Sequence, residues 1–161
     1  MLRVIHEMPV AHAVIRGSET FETFETIQGN VYFYEVYNGT VLVGEIFGIP
    51  DEVEKESGGF LGFHIHEGKS CTGSREEAFA FAGGHLNPEE EPHPKHQGDL
   101  PPLLIHRGIA WMEVYTGRFY PEDVIGKTII IHDHPDDFQT QPSGGSGRKI
   151  ACGEIEGWEK S

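Results

Sequence analysis

The chain has 161 residues, 37% of them hydrophobic, which suits one folded domain with a buried core and excludes a disordered segment. A formal charge of −14 argues against nucleic acid and anionic lipid as partners, because both recruit Lys and Arg. The longest apolar runs are short strand-like pieces such as Thr128 to Ile131, far below the about 20 residues of a membrane span.

In chain order, residues 1–161 are expected to form a single domain, with residues 1–12 as an extension before the first strand. Met1 to Arg16 lacks a basic start followed by a long apolar stretch and a small-residue cleavage site. That reading places the protein in the cytoplasm, or in the periplasm or outside the cell if a leader was removed. From Ile27 the pattern is β: Val31 to Tyr37 is rich in β-branched and aromatic residues, and Thr40 to Phe47 returns as its partner. Asn38-Gly39 between them predicts a type I′ hairpin turn. Gly59 to His66 reads as a further strand.

Residues 67–102 are rich in Gly, Pro, Glu and His and show little periodicity. A loop this long needs something to order it, and metal would do so. Ile109 to Tyr115 and Lys127 to His132 read as strands, with a short helical turn at Pro121 to Ile125 between them. Residues 133–149 form a second long loop, and Lys149 to Ile155 a last strand. Many strands, few helices and two long loops predict an all-β Greek-key sandwich or flattened barrel.

Ten histidines make spacing the next question. His64 and His66 alternate along one strand and so share a face, where they can reach one ion or stand as a polar surface pair. His85, His93, His96 and Asp99 can supply the N3O set of a tetrahedral zinc site, and prolines 88, 92 and 94 restrict the loop that carries them. The alternative is a solvated acidic loop, which Glu89-Glu90-Glu91 resembles by itself. His132 closes a strand, with His134 a second candidate two positions on. His6, His12 and His106 have nothing nearby to complete a site. Cys71 and Cys152 are either two buried thiols or a pair.

Together these segments resemble the copper/zinc superoxide dismutase family. The resemblance rests on Gly62-Phe63-His64-Ile65-His66-Glu67, Gly84-His85-Leu86-Asn87-Pro88, His93, His96-Gln97-Gly98-Asp99-Leu100, Val124 to His132, Asp136 and Ala151-Cys152-Gly153-Glu154-Ile155. It covers roughly residues 27 to 157, and the short, proline-rich loop looks bacterial. It implies copper on His64, His66, His85 and His132, zinc on His85, His93, His96 and Asp99, and His85 as the bridge. It implies that Asp136 hydrogen-bonds His64 and His93, and that Cys71 and Cys152 form a disulfide. His132 is preferred to His134 because it keeps the family's spacing to Asp136.

The implied activity is disproportionation of superoxide to dioxygen and hydrogen peroxide by Cu(II)/Cu(I) cycling, with His85 also carrying a proton. A homodimer is a state the resemblance allows. Two departures stand out. His93 and His96 are closer together than the family usually has them, so the loop must follow a different path. The family's arginine three residues before the last cysteine is Lys149 here, and either Lys149 or neighbouring Arg148 supplies the positive charge beside the copper channel. Two other functions are alternatives: a dismutase-like module that binds or delivers copper with little turnover, and a zinc hydrolase. The hydrolase needs an open zinc position, which four protein ligands would close.

Overall fold

Strands form where apolar and polar side chains alternate, and this begins earlier than expected. The structure is a computed structural model that describes residues 8–159. Strand β1 (Ala11–Gly17) buries Ala11, Ala13 and Ile15 and leaves His12, Val14 and Arg16 on the other face. Ala11 and His12 of the expected extension therefore belong to this strand. Residues 1–7, His6 among them, lie outside the described residues.

Strands β2 (Gln28–Val36) and β3 (Gly39–Phe47) pair from Gln28↔Phe47 to Val36↔Gly39. Tyr37 and Asn38 take positive φ values of 52° and 57°, so the turn sits one residue before the expected Asn38-Gly39. Gly39 serves packing instead: a Cβ there would lie 2.5 Å from the carbonyl oxygen of Thr116 on the neighbouring strand.

A seven-residue helix, α1 (Asp51–Ser57), follows and was not expected. The predicted strand Gly59 to His66 is two strands, β4 (Phe60–Leu61) and β5 (Phe63–His66), broken at Gly62. Strand β6 (Leu103–His106) was also missed, whereas β7 (Ile109–Thr116), α2 (Pro121–Val124), β8 (Thr128–His132) and β9 (Lys149–Gly157) fall where expected.

The nine strands of the described residues pair antiparallel in the order β4-β6-β7-β3-β2-β1-β9-β8-β5. The two edge strands, β4 and β5, are consecutive in the chain with Gly62 alone between them. The chain itself therefore joins the edges and curls the sheet into a nearly closed barrel. Strand β3 pairs with β7 rather than β4, which is the Greek-key crossover. Phe33, Phe63, Leu42 and Leu103 are among the fully buried side chains that fill the barrel.

Alternation then decides where the histidines go. Phe63, Ile65, Ile129 and Ile131 point into the core, so His64, His66 and His132 share the outer face of β5 and β8. That face is nonetheless buried, because the two long loops fold over it. No helix of the described residues is long and apolar enough to cross a membrane.

Candidate metal centre

The free edge of β5 is what orders the first long loop. The amide of Ile65 donates to the Gly98 carbonyl (2.9 Å), and its carbonyl accepts from Leu86 N (2.8 Å). Glu67 N donates to Gly84 O (2.9 Å), and Gly98 N to Leu86 O (2.9 Å). These bonds set His85 opposite His66 and Asp99 opposite His64. The loop expected to need an external organiser therefore has a backbone one as well.

His64, His66, His85 and His132 form one buried group whose donor atoms lie within 4.8 Å of one another; His85, His93, His96 and Asp99 form a second by the same measure. His85 belongs to both. In the first group, His66 Nδ1 donates to the Gly83 carbonyl at 2.8 Å, and His132 Nδ1 lies 3.4 Å from the Gly147 carbonyl. Carbonyls only accept, so both rings carry their proton on Nδ1 and offer a lone pair at Nε2. Those Nε2 atoms face each other at 3.3 Å. Two lone pairs at that distance repel unless a cation lies between them.

Burial, aided by the neighbouring imidazoles, pushes the His132 pKa down to about 3 and the His66 pKa well below its ordinary value. Burial also lowers His64, against the opposing hydrogen bond from Asp136. All three rings are thus neutral and able to ligate at physiological pH.

Asp136 ties the two groups together. His64 Nε2 donates to Oδ2 at 2.7 Å, while His93 Nε2 (2.8 Å) and the Phe138 amide (2.7 Å) donate to Oδ1. Burial acts to raise the Asp136 pKa but is outweighed by these donors, which hold the carboxyl far below its ordinary range. Gly144 makes room: its φ is 69°, and a Cβ there would overlap Asp136 Oδ1. With Nε2–H of both rings committed to Asp136, His64 Nδ1 and His93 Nδ1 are lone pairs. These two atoms and His85 Nε2 are buried with no hydrogen-bond partner among the described residues. In a native interior such orphans call for an explanation, and a metal ion at each group supplies one.

In the second group Asp99 is the hub. Its Oδ1 accepts from His85 Nδ1 at 2.8 Å, and its Oδ2 lies 3.0 Å from His93 Nδ1 and 3.4 Å from His96 Nδ1. The His96 amide donates to the same oxygen at 3.0 Å. Burial acts to raise the Asp99 pKa, and the His85 hydrogen bond with the surrounding imidazoles brings it below normal. Three imidazoles and a carboxylate fit closed tetrahedral zinc, and four imidazoles fit copper.

Lys149 and Arg148 separate clearly. A register shift between Ile131 and His132 sets Lys149 opposite His132. Its charge contributes to the lowered pKa of that histidine. The Lys149 Nζ is 3.4 Å from both Glu77 Oε1 and the Phe79 carbonyl. Arg148 instead donates from Nε to Asp133 at 2.6 Å and lies over the rings of Phe21 and Phe24. Its side-chain partners among the described residues are thus Asp133, Phe21 and Phe24.

His134 binds Asp133 through Nδ1 at 2.7 Å and stands apart from both groups. His12 stacks on Tyr32, and His106 is largely exposed. Cys71 and Cys152 form a disulfide across a sequence separation of 81. Sequence reasoning missed the carbonyls of Gly83 and Gly147 that set two tautomers, and Asp133 as the anchor of Arg148. The glycines around positions 83 and 147 were the available signal, because close backbone approach favours them.

Comparison with known proteins agrees with this geometry. A family model described as copper/zinc superoxide dismutase (SODC) matches residues 27–155. The superoxide dismutase [Cu-Zn] of Neisseria meningitidis is 35% identical over 143 residues, which is 80% of this chain and 73% of that protein. Superoxide dismutase [Cu-Zn] 2 of Aquifex aeolicus is 28% identical over 155 residues, 86% of this chain and 84% of the relative. The solved Cu/Zn superoxide dismutase from Brucella abortus superposes with a TM-score of 0.75 at 25% identity, covering 91% of this chain and 99% of that one.

Proposed function

The chain belongs to the copper/zinc superoxide dismutase family, and from that premise we propose that it converts superoxide to dioxygen and hydrogen peroxide with copper held by His64, His66, His85 and His132 and zinc by His85, His93, His96 and Asp99. The observation that carries this reading is the position of His85. Its Nδ1 lies in the second group, 2.8 Å from Asp99, while its Nε2 faces the first group with no partner among the described residues.

When bound, copper supplies a one-electron couple, and zinc supplies fixed charge without redox change. The protein's own part follows from the geometry. His64, His66 and His132 present neutral nitrogens from two paired strands, so the donor set needs little rearrangement. Asp136 keeps the proton on Nε2 of His64 and leaves Nδ1 free. His85 Nε2 is the position that can take up one proton and return it to the reduced substrate, with water providing the other.

The purified protein loaded with one equivalent of each metal should remove superoxide rapidly in pulse radiolysis. His64→Ala and His132→Ala should each lose most of that rate together with copper affinity. A bound copper signal without turnover in the parent would favour the copper-binding module instead.

Lys149 is our candidate for drawing the anionic substrate into a protein of charge −14. Lys149→Ala should lower the second-order rate roughly 3- to 10-fold at low salt and flatten its salt dependence. Arg148→Ala should change both less, because Arg148 holds the buried Asp133 at 2.6 Å, whereas Lys149 meets the exposed Glu77 at 3.4 Å. An unaltered low-salt rate in Lys149→Ala would remove Lys149 from this role. The disulfide also bears on compartment: such bonds persist in oxidising surroundings, which supports the periplasmic or extracellular alternative over the cytoplasm.

A further inference from the structure

Three of the four backbone carbonyls from His93 to His96 accept hydrogen bonds from two side chains of distant segments. The Gln141 amide bonds His93 at both ends: Nε2 donates to its carbonyl at 2.8 Å, and Oε1 accepts its N–H at 2.9 Å. Arg118 Nη1 donates to the carbonyls of Pro94 and His96, each at 2.9 Å. Arg118 makes no ion pair with a carboxylate among the described residues, so its donors serve the turn rather than a charge partner.

Each side chain is itself anchored. Arg118 lies between β7 and α2, beside Phe119, which is 2% exposed and whose carbonyl accepts Thr40 Oγ1 at 2.8 Å. Gln97 Nε2 returns a bond to the Arg118 carbonyl at 3.1 Å. Gln141 sits on the second long loop, the one that also carries Asp136. The turn is thus gripped from the barrel on one side and from the second loop on the other.

The grip matters because only two residues separate His93 from His96, yet both rings must turn Nδ1 toward Asp99, at 3.0 and 3.4 Å. A turn that ordered only on metal binding would subtract its ordering entropy from the affinity. The geometry points to Arg118 and Gln141 as positioning residues that hold the His93–His96 turn in its metal-receiving shape before the metal arrives. This rests on the assignment of zinc to the second group.

Competition for zinc against a chromophoric chelator tests it on the full chain. Arg118→Met and Gln141→Ala should each weaken zinc binding about tenfold, and the double variant nearer 100-fold. Arg118→Lys should recover part of the loss. The thermal midpoint of the metal-free protein should not move, while the amides of Lys95 and Asp99 should exchange faster in the metal-free variants. Zinc affinity within about twofold of the parent in both single variants would overturn the proposal. So would a loss of affinity matched by an equal fall in metal-free stability, which marks a merely structural role. A parent chain that binds no zinc would overturn the zinc assignment itself, and the proposal with it.

Discussion

Asp136→Asn should weaken one or both metal groups by about 10- to 100-fold, equivalent to roughly 1.4–2.8 kcal/mol, and the dismutation rate should fall with it. The carboxylate accepts an N–H from His64 on one oxygen and from His93 on the other. An amide has one acceptor and one donor end. At least one imidazole then meets an N–H where it met an oxygen. To escape, that ring must move its proton to Nδ1 or rotate. Either change spoils the lone pair that His64 Nδ1 or His93 Nδ1 presents among the other donors. Asp136→Leu supplies neither oxygen and should weaken both groups together. Equilibrium dialysis against each metal reads the two affinities separately. If Asp136→Asn holds both within about twofold of the parent, ring orientation is set by backbone contacts and the carboxylate is dispensable.

How much of this was legible in the sequence depends on the range of the interaction. His64 and His66 follow from period-two alternation alone, and the N3O set from donor chemistry within fifteen positions. Strands β2 and β3 announce themselves by composition. Helix α1 does not: it is mostly charged, with Val53 and Ser57 its buried residues, and so shows no apolar stripe. Strand β6 is four residues long and follows Pro101-Pro102. Strand β1 packs with alanines where larger side chains would have flagged it.

The roles of Lys149 and Arg148 could not be separated from sequence, because adjacent residues on a strand exchange faces with a one-residue shift. The irregularity between Ile131 and His132 sets Lys149 rather than Arg148 opposite His132, and no local pattern marks it. The hairpin turn erred for a related reason. Asn-Gly is the strongest turn signal, yet Gly39 was needed against Thr116 from a strand nearly eighty positions away.

Removing the disulfide should be the largest single loss of stability. Cys71 opens the long loop, and Cys152 lies on β9 opposite Ile130 of β8, buried with Ala78, Phe79 and Ala82. The bond closes a sequence separation of 81. The chain-entropy relation puts that closure at about 4–5 kcal/mol, acting chiefly by restricting the unfolded chain. For a chain of this size, about 1 kcal/mol moves the thermal midpoint about 2–4 °C. Cys71→Ala with Cys152→Ala should therefore lower the midpoint by roughly 10–15 °C. If the effect lies in the unfolded state, metal-free and metal-loaded proteins should lose the same free energy, because both unfold to the same metal-free chain. If the bond instead orders the native loop, the metal-free form should lose more, since metals on His85, His93, His96 and Asp99 would hold part of that loop without it. Calorimetry of both forms, each with and without the cysteines, separates the two. A shift below about 3 °C in both forms would mean that the antiparallel bonds of the loop to β5 and the packing of Phe79 already fix what the disulfide was held to secure.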